Sequence, residues 1–138
     1  MIEIFRLSVK TEGNTDIIDL TPLIQKNLKK SKIKRGIVNI FSPGSTVSIS
    51  TMEYEPNLIK DVKNVFERIA PSDVEYEHHK TWGDFNGHSH VRATLTGASI
   101  SIPFENQELL LGTWQQVVLI DFDVRPRERE VILTLMGE

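Results

Sequence analysis

The carboxy-terminal third of the chain leaves almost no room between one extended segment and the next. "ASISIPF" (98–104), "LLLGTWQQVVLIDFD" (109–123) and "EREVILTLM" (128–136) are separated only by a turn at Glu105-Asn106-Gln107 and by "RPR" at 125–127. A parallel pair of strands needs a crossover of a dozen or more residues, so strands spaced this closely pair antiparallel. This is the strongest constraint on the fold. It calls for a mixed, mostly antiparallel sheet.

The remainder supplies the other elements. "IEIFRLSV" (2–9) alternates in the manner of a half-buried strand. "GIVNIFS" (36–42) and "TVSISTME" (46–53) flank a turn at Pro43-Gly44 and are expected to pair as a hairpin. "VEYEHH" (74–79) reads as a further strand. Three helices are expected. The first starts in "DLTPLIQKNLKKS", with Thr21 as N-cap, Pro22 in the first turn and Leu23, Ile24 and Leu28 facing inward. The second, "PNLIKDVKNVFERIAP", places Leu58, Ile59, Val62, Val65, Phe66 and Ile69 on one face. The third, "HVRATLTG", is capped by Asn86 and stopped by Gly97, with Val91, Leu95 and Ala98 at helical spacing. With no repeat and no linker, residues 1–138 form one α/β domain, a sandwich of sheet and helices.

Composition narrows the chemistry. A net charge of −3 gives no electrostatic footprint for nucleic acid. There are no cysteines, so disulfides and thiolate chemistry are excluded and any metal must use His, Asp, Glu or water. "MIEIFRLSVKTEG" lacks the apolar run of a signal peptide, and no stretch approaches the roughly 20 apolar residues of a membrane span. A cytoplasmic protein without a membrane partner is expected.

All four histidines, His78, His79, His88 and His90, fall within thirteen residues, around "DFNGHSH" (84–90). On a helix, residues 88 and 90 lie about 200° apart and cannot both address one ion. On an extended segment they would share a face. The cap at Asn86 and the spacing of "HVRATLTG" favour the helix. One of His88 or His90 then joins His78 and Asp84 in a candidate constellation. A carboxylate beside an imidazole fixes its tautomer, which suits proton transfer near neutral pH. A solvated loop capping its own backbone is the bland alternative, but clustered ionisable side chains more often mark function.

Two other stretches carry weight. In "GTWQQ" a lone tryptophan is usually core, so Trp114 is expected to pack inward, leaving Gln115 free to face a cleft. "RPR" offers Arg127, whose planar fork suits phosphate oxygens, although charged turns are often only solvated.

"NGHSHVRATLTGASISIPF" followed by "LLLGTWQQVVLIDFDVRPRER" resembles the YjbQ family, described as secondary thiamine-phosphate synthases. The resemblance covers nearly the whole chain, and the pattern "LGTWQQ…DFD…RPR" is specific. It implies an α/β sandwich assembled as a homotrimer with sites near subunit interfaces. By position it carries the family's histidine after the tyrosine onto His78, its aspartate onto Asp84, its asparagine onto Asn86 and its second histidine onto His90. The position of His88 varies among members, which selects His90 and leaves His79 and His88 dispensable. Glu53 falls where members carry an acid, and Gln115 and Arg127 within the carboxy-terminal motif. Many members have His-Thr-Thr where this chain has Gly44-Ser45-Thr46. Losing that imidazole weakens a zinc site, which usually needs three protein ligands. It also opens a glycine-rich turn in which backbone N–H groups and the Ser45 and Thr46 hydroxyls suit an anion.

The activity implied is a transfer in which an aminopyrimidine diphosphate loses pyrophosphate as its methylene carbon is captured by the nitrogen of a thiazole phosphate. Such chemistry calls for charge neutralisation, with Arg92 and Arg127 and a divalent ion (Mg²⁺ or Zn²⁺), and for a proton donor among Asp84, His78 and His90. Two alternatives stand beside it. One is a metal-dependent hydrolase of a small phosphorylated metabolite, with His78 and His90 as ligands. The other is a non-catalytic binder of such a ligand.

Overall fold

The computed structural model describes residues 1–138. The strands are β1 (Ile2–Thr11), β2 (Asp16–Asp19), β3 (Arg35–Phe41), β4 (Val47–Glu53), β5 (Ser99–Glu105), β6 (Glu108–Leu109), β7 (Gln115–Asp121) and β8 (Arg127–Gly137). The α-helices are α1 (Thr21–Lys30), α2 (Pro56–Ile69) and α3 (Gly87–Thr96), with a single 3-10 turn at Glu77–Lys80. Five strands form one sheet in the order β1-β8-β3-β5-β6, and three form a second in the order β2-β7-β4. Every pairing is antiparallel. The fold is therefore a single α/β domain with antiparallel sheets, but the closely spaced β5, β7 and β8 do not pair with one another: β7 lies between β2 and β4, and β3 separates β5 from β8.

The layers follow from alternation along β7. Val117 and Leu119 point into the main core, with Val38, Ile40, Val47, Ile49, Leu133 and Leu135 from both sheets and Ile24 and Leu28 from α1. Val118 and Ile120 point the other way, into a second cluster with Phe66 of α2 and Ala93 of α3. The small sheet is thus buried on both faces, which is why "VVLI" is an unbroken apolar run. In the larger sheet, Phe5, Leu7 and Val9 of β1 pack inward. The opposite phase leaves Ile2 and Ile4 on the outer face at 64% and 57% exposure.

Several expectations are corrected. β3 and β4 do not form a hairpin. β3 is flanked on both sides, by β5 and β8, so the chain must leave the sheet to find an open edge. Residues 42–46 cross to the small sheet instead, held by Ser42, whose hydroxyl donates to the Glu130 carbonyl and whose N–H donates to the Ala98 carbonyl. Thr21 does not cap α1, because its hydroxyl accepts the Val117 N–H. Leu20 is the N-cap residue, and the Asp19 carboxylate accepts the Thr21 N–H. The α2 cap is Glu55, whose carboxylate accepts the Leu58 N–H at 2.5 Å. On α2 only Phe66 is buried; Val65 and Ile69 stay about half exposed because the small sheet covers one narrow stripe.

"VEYEHH" is not a strand. It ends in the 3-10 turn, where the His79 ring meets the Tyr76 N–H and competes with any sheet partner. The long strand expected over 109–123 is broken at 110–114, where the Gln115 N–H donates to the Gly112 carbonyl and closes a turn. Trp114 sits in that turn at 74% exposure, outside the sheet whose alternation would have turned it inward. On α3 the buried face carries Gly87, His88, Ser89, Arg92 and Ala93, while Leu95 is exposed.

Candidate functional site

At the end of the small sheet where Val47 pairs with Asp121, several segments converge on an open cavity of about 250 Å³. The β3–β4 crossover supplies Ser45 and Thr46, and the 3-10 turn supplies His78. The loop after that turn contributes Trp82 and Asp84. Asn86 and His90 come from the start of α3, Asp123 from the end of β7 and Arg127 from the start of β8. Trp82 is the only apolar side chain among them.

The α3 geometry separates the two histidines of "GHSH". His90 enters this cavity, and His88 lies on the other side of the helix, in a different cavity. The His78 and His90 rings face each other with centroids 4.5 Å apart and planes inclined by 38°. His78 Nδ1 is buried without a hydrogen-bond partner. Burial, then the neighbouring His78, pushes the His90 imidazole below its ordinary range, against the opposing pull of Asp123 and Asp84. Near neutral pH, His90 is a free base.

Asp123 organises the floor. Its carboxylate accepts from Asn86 Nδ2 at 3.2 Å, from Thr46 Oγ1 at 3.1 Å and from Arg127 Nε at 3.0 Å and Arg127 Nη2 at 2.5 Å. Burial alone would raise its pKa, but the Val124 N–H, Asn86 and Arg127 together hold it down at about 2. Asp121, two residues earlier, is fully buried and takes a bidentate grip from Arg129 at 2.7 and 2.8 Å. Burial there too is outweighed, chiefly by Arg129 and Thr11, so the carboxyl stays ionised. The charged end of "DFDVRPRER" is thus two interlocked acid–arginine pairs beneath the site.

Asn86 holds the N-cap position of α3 as expected, but its side chain makes no capping hydrogen bond. Its amide instead donates to Asp123, and its Oδ1 is buried and unpartnered. That leaves Oδ1 as an acceptor held at the cavity. Phe85, just before it, has a φ of +53°, a costly conformation for a bulky residue, at the turn that presents Asp84 and Asn86. His79 is buried under this turn, its Nε2 accepting the Gly87 N–H at 3.3 Å. Its Nδ1 lies 3.5 Å from a Glu75 oxygen and 3.4 Å from the Tyr76 N–H. A neutral imidazole accepts at only one nitrogen, so the ring takes the Tyr76 N–H or the Gly87 N–H and not both at once, and with either it braces this turn. His79 is therefore a structural residue rather than a dispensable one.

Of the residues singled out in the sequence, Ser45, Thr46, His78, Asp84, Asn86, His90 and Arg127 are brought together. Three are not. Glu53 pairs with Gln115 at the far end of β4 and β7, six residues, about 20 Å, from the cavity. Gln115 is occupied there, donating to Thr51 Oγ1 and accepting from the Gly112 N–H. Arg92 is buried on the opposite side of α3, with its guanidinium on the Ala70 carbonyl, Thr15 and Glu67. Trp82 and Asp123 went unrecognised. The available signal for Asp123 was an acid ending an apolar strand with an arginine four residues on.

No three His, Asp or Glu side chains converge as a metal site. The residues present do not make a complete protein-only metal cage, and two facing imidazoles fit proton exchange better. A second groove, lined by Gly44, Val47, Ala93, Gly97 and Ala98, adjoins the cavity across Ser45 and His90.

Comparison with known proteins places this arrangement in a family. A family model described as UPF0047 protein YjbQ-like matches residues 5–138. A UPF0047 protein of Methanothermobacter thermautotrophicus is 35% identical over 96% of this chain and 90% of its own length. The UPF0047 protein YugU of Bacillus subtilis is 31% identical over 95% of this chain and 97% of its own. Among solved structures, a YbjQ-like protein of unknown function from Sulfolobus solfataricus superposes with a TM-score of 0.88 at 27% identity, covering all of both chains. A hypothetical protein from Aeropyrum pernix superposes at 0.91 with 29% identity over 99% of each. The chain belongs to the YjbQ-like UPF0047 family.

Proposed function

We propose that this chain is an enzyme acting on a small phosphorylated metabolite, with His78 and His90 moving a proton at the reacting centre. The observation that carries this reading is the pair of imidazoles facing each other across 4.5 Å in an open polar cavity. Two such rings cannot readily both be charged, so one is a base when the other is an acid. Asp84 and Asp123 favour the first proton and the like charge disfavours the second. Two imidazoles this close take up one proton more readily than two.

The specific reaction proposed is a transfer of the thiamine-phosphate synthase type. The carbon–oxygen bond to a diphosphate breaks, its electron pair leaving with the oxygen, which an imidazolium protonates. A ring nitrogen of the second substrate donates its lone pair to the methylene carbon and becomes cationic. Ser45 and Thr46 face the same cavity. Arg127 gives two of its N–H directions to Asp123, so only its remaining N–H groups can reach phosphate. A divalent ion carried in by the substrate's phosphates is the form of metal dependence these side chains accommodate.

Incubating the purified chain with both precursors and Mg²⁺, and following thiamine phosphate chromatographically, tests the proposal. Product is expected, with a loss of at least 100-fold in His90→Ala. No product, or a His90→Ala variant indistinguishable from the parent chain, would sink it.

A further inference from the structure

On the far side of α3 lies a second cavity of about 260 Å³ lined entirely by polar side chains, among them Asn14, Thr15, Lys63, Glu67, His88 and Arg92. Three of these are almost completely buried: Thr15 and Arg92 at 3% exposure and His88 at 5%. Burying polar groups is unfavourable unless something answers them. Part of the reason is structural. Arg92 ties α3 to the Ala70 carbonyl at the end of α2, to Glu67 and to Thr15. Glu67 is satisfied in turn by Arg92 and by the N–H and hydroxyl of Ser72.

That network leaves two groups without a purpose. His88 Nδ1 is sealed from solvent and has no hydrogen-bond partner. Lys63 lies one turn before Glu67 on α2, yet Glu67 forms its ion pair with Arg92. With Arg92 and Glu67 cancelling, the cavity keeps the single positive charge of Lys63. Neither feature belongs to the His78–His90 site, which opens on the other side of the helix.

We propose that this cavity is a second binding site, for a small oxyanion, a phosphate or carboxylate group, held by Lys63 against the buried polar wall that Thr15, His88 and Arg92 form. Its volume suits a group of a few heavy atoms rather than a whole nucleotide. The site is physically joined to the first. Asn14, on its rim, donates its N–H to the Asp123 carbonyl at 2.6 Å, and His88 and His90 share one helical turn.

The experiment is a titration of the full chain with sodium phosphate, and separately sodium acetate, at fixed ionic strength, read on the ring nitrogens of the four histidines by NMR. Saturable movement of the His88 signals below about 10 mM is expected. Lys63→Gln, which removes only an exposed charge, should weaken that response at least tenfold. His90→Gln should leave it in place, so the outcome is independent of whether the other site is catalytic. Movement with phosphate alone identifies a phosphoryl ligand, and movement with both identifies a general oxyanion site. Movement confined to His78 and His90, an equal response to sodium chloride, or an unchanged response in Lys63→Gln would overturn the proposal.

Discussion

His78 and His90 face each other at 4.5 Å between ring centroids, one delivered by a 3-10 turn and the other by α3. Burial and then His78 lower the His90 pKa. Replacing His78 by Gln removes the like charge but not the burial. The His90 titration, followed by NMR, should therefore move upward without regaining its ordinary value of 6.5. A His90 midpoint that stays put would mean the two rings do not interact.

The same burial predicts how stability responds to acid. His88 and His90 both have folded pKa values below their ordinary 6.5, chiefly through burial. The unfolded chain then binds more protons than the folded one as pH drops below 6.5. Stability should fall as pH goes from about 7 toward 5 and level once the folded rings protonate. A further loss follows near pH 4 to 2, where Asp123, held at about 2 in the fold, loses its advantage over an ordinary 3.8. Urea midpoints at a series of pH values test this. A flat profile between pH 7 and 5 would contradict the burial of the two imidazoles.

Asp121 and Arg129 form the most enclosed ion pair of the molecule, with side chains at 0% and 10% exposure. Removing one partner strands the other charge, so Asp121→Ala should cost about 3–5 kcal/mol. Replacing both together by Leu and Met should cost distinctly less. Chemical denaturation of Asp121→Ala, of Arg129→Met and of the double variant measures the difference. Equal losses in all three would show that packing, not charge, dominates there.

How much of this was legible beforehand depends on which physical rule governs each residue. Local rules succeeded. The helical reading of 88–90 separated the two histidines; the antiparallel sense of the sheets also held, although β5, β7 and β8 took partners distant in sequence rather than one another. Failures came where a partner distant in sequence decided. The β3–β4 hairpin failed because β5 and β8 had already taken both edges of β3. Thr21 and Asn86 look like capping side chains, but Val117 and Asp123 claimed them. Arg92 followed the buried face of its own helix away from the cavity, and Gln115 turned toward Thr51 rather than a cleft.

Trp82 and Trp114 are both exposed, at 63% and 74%, but only Trp82 lines the cavity. Intrinsic fluorescence should accordingly be red-shifted in the native chain and readily quenched by acrylamide. A ligand entering the His78–His90 cavity should change the emission of Trp114→Phe, which retains Trp82. It should leave Trp82→Phe unaffected. The reverse pattern would place the ligand at the Gly112–Gln115 turn instead.

The outer face of the five-stranded sheet carries an apolar strip that nothing in the chain covers. Ile2 of β1 and Ile37 of β3 both stand opposite Met136 of β8, and Ile4 extends the strip. These side chains are 64%, 45%, 50% and 57% exposed, respectively. Adjacent apolar residues on neighbouring strands form a continuous patch, the kind of surface that association buries. A homotrimer using this face should show three times the 15.7 kDa chain mass by light scattering. Ile4→Lys with Met136→Lys would place charges in the middle of that contact and should shift the mass to one chain while the far-ultraviolet spectrum is preserved. A variant that keeps the parent mass would exclude this face as the interface, and a parent chain of single mass would exclude the trimer.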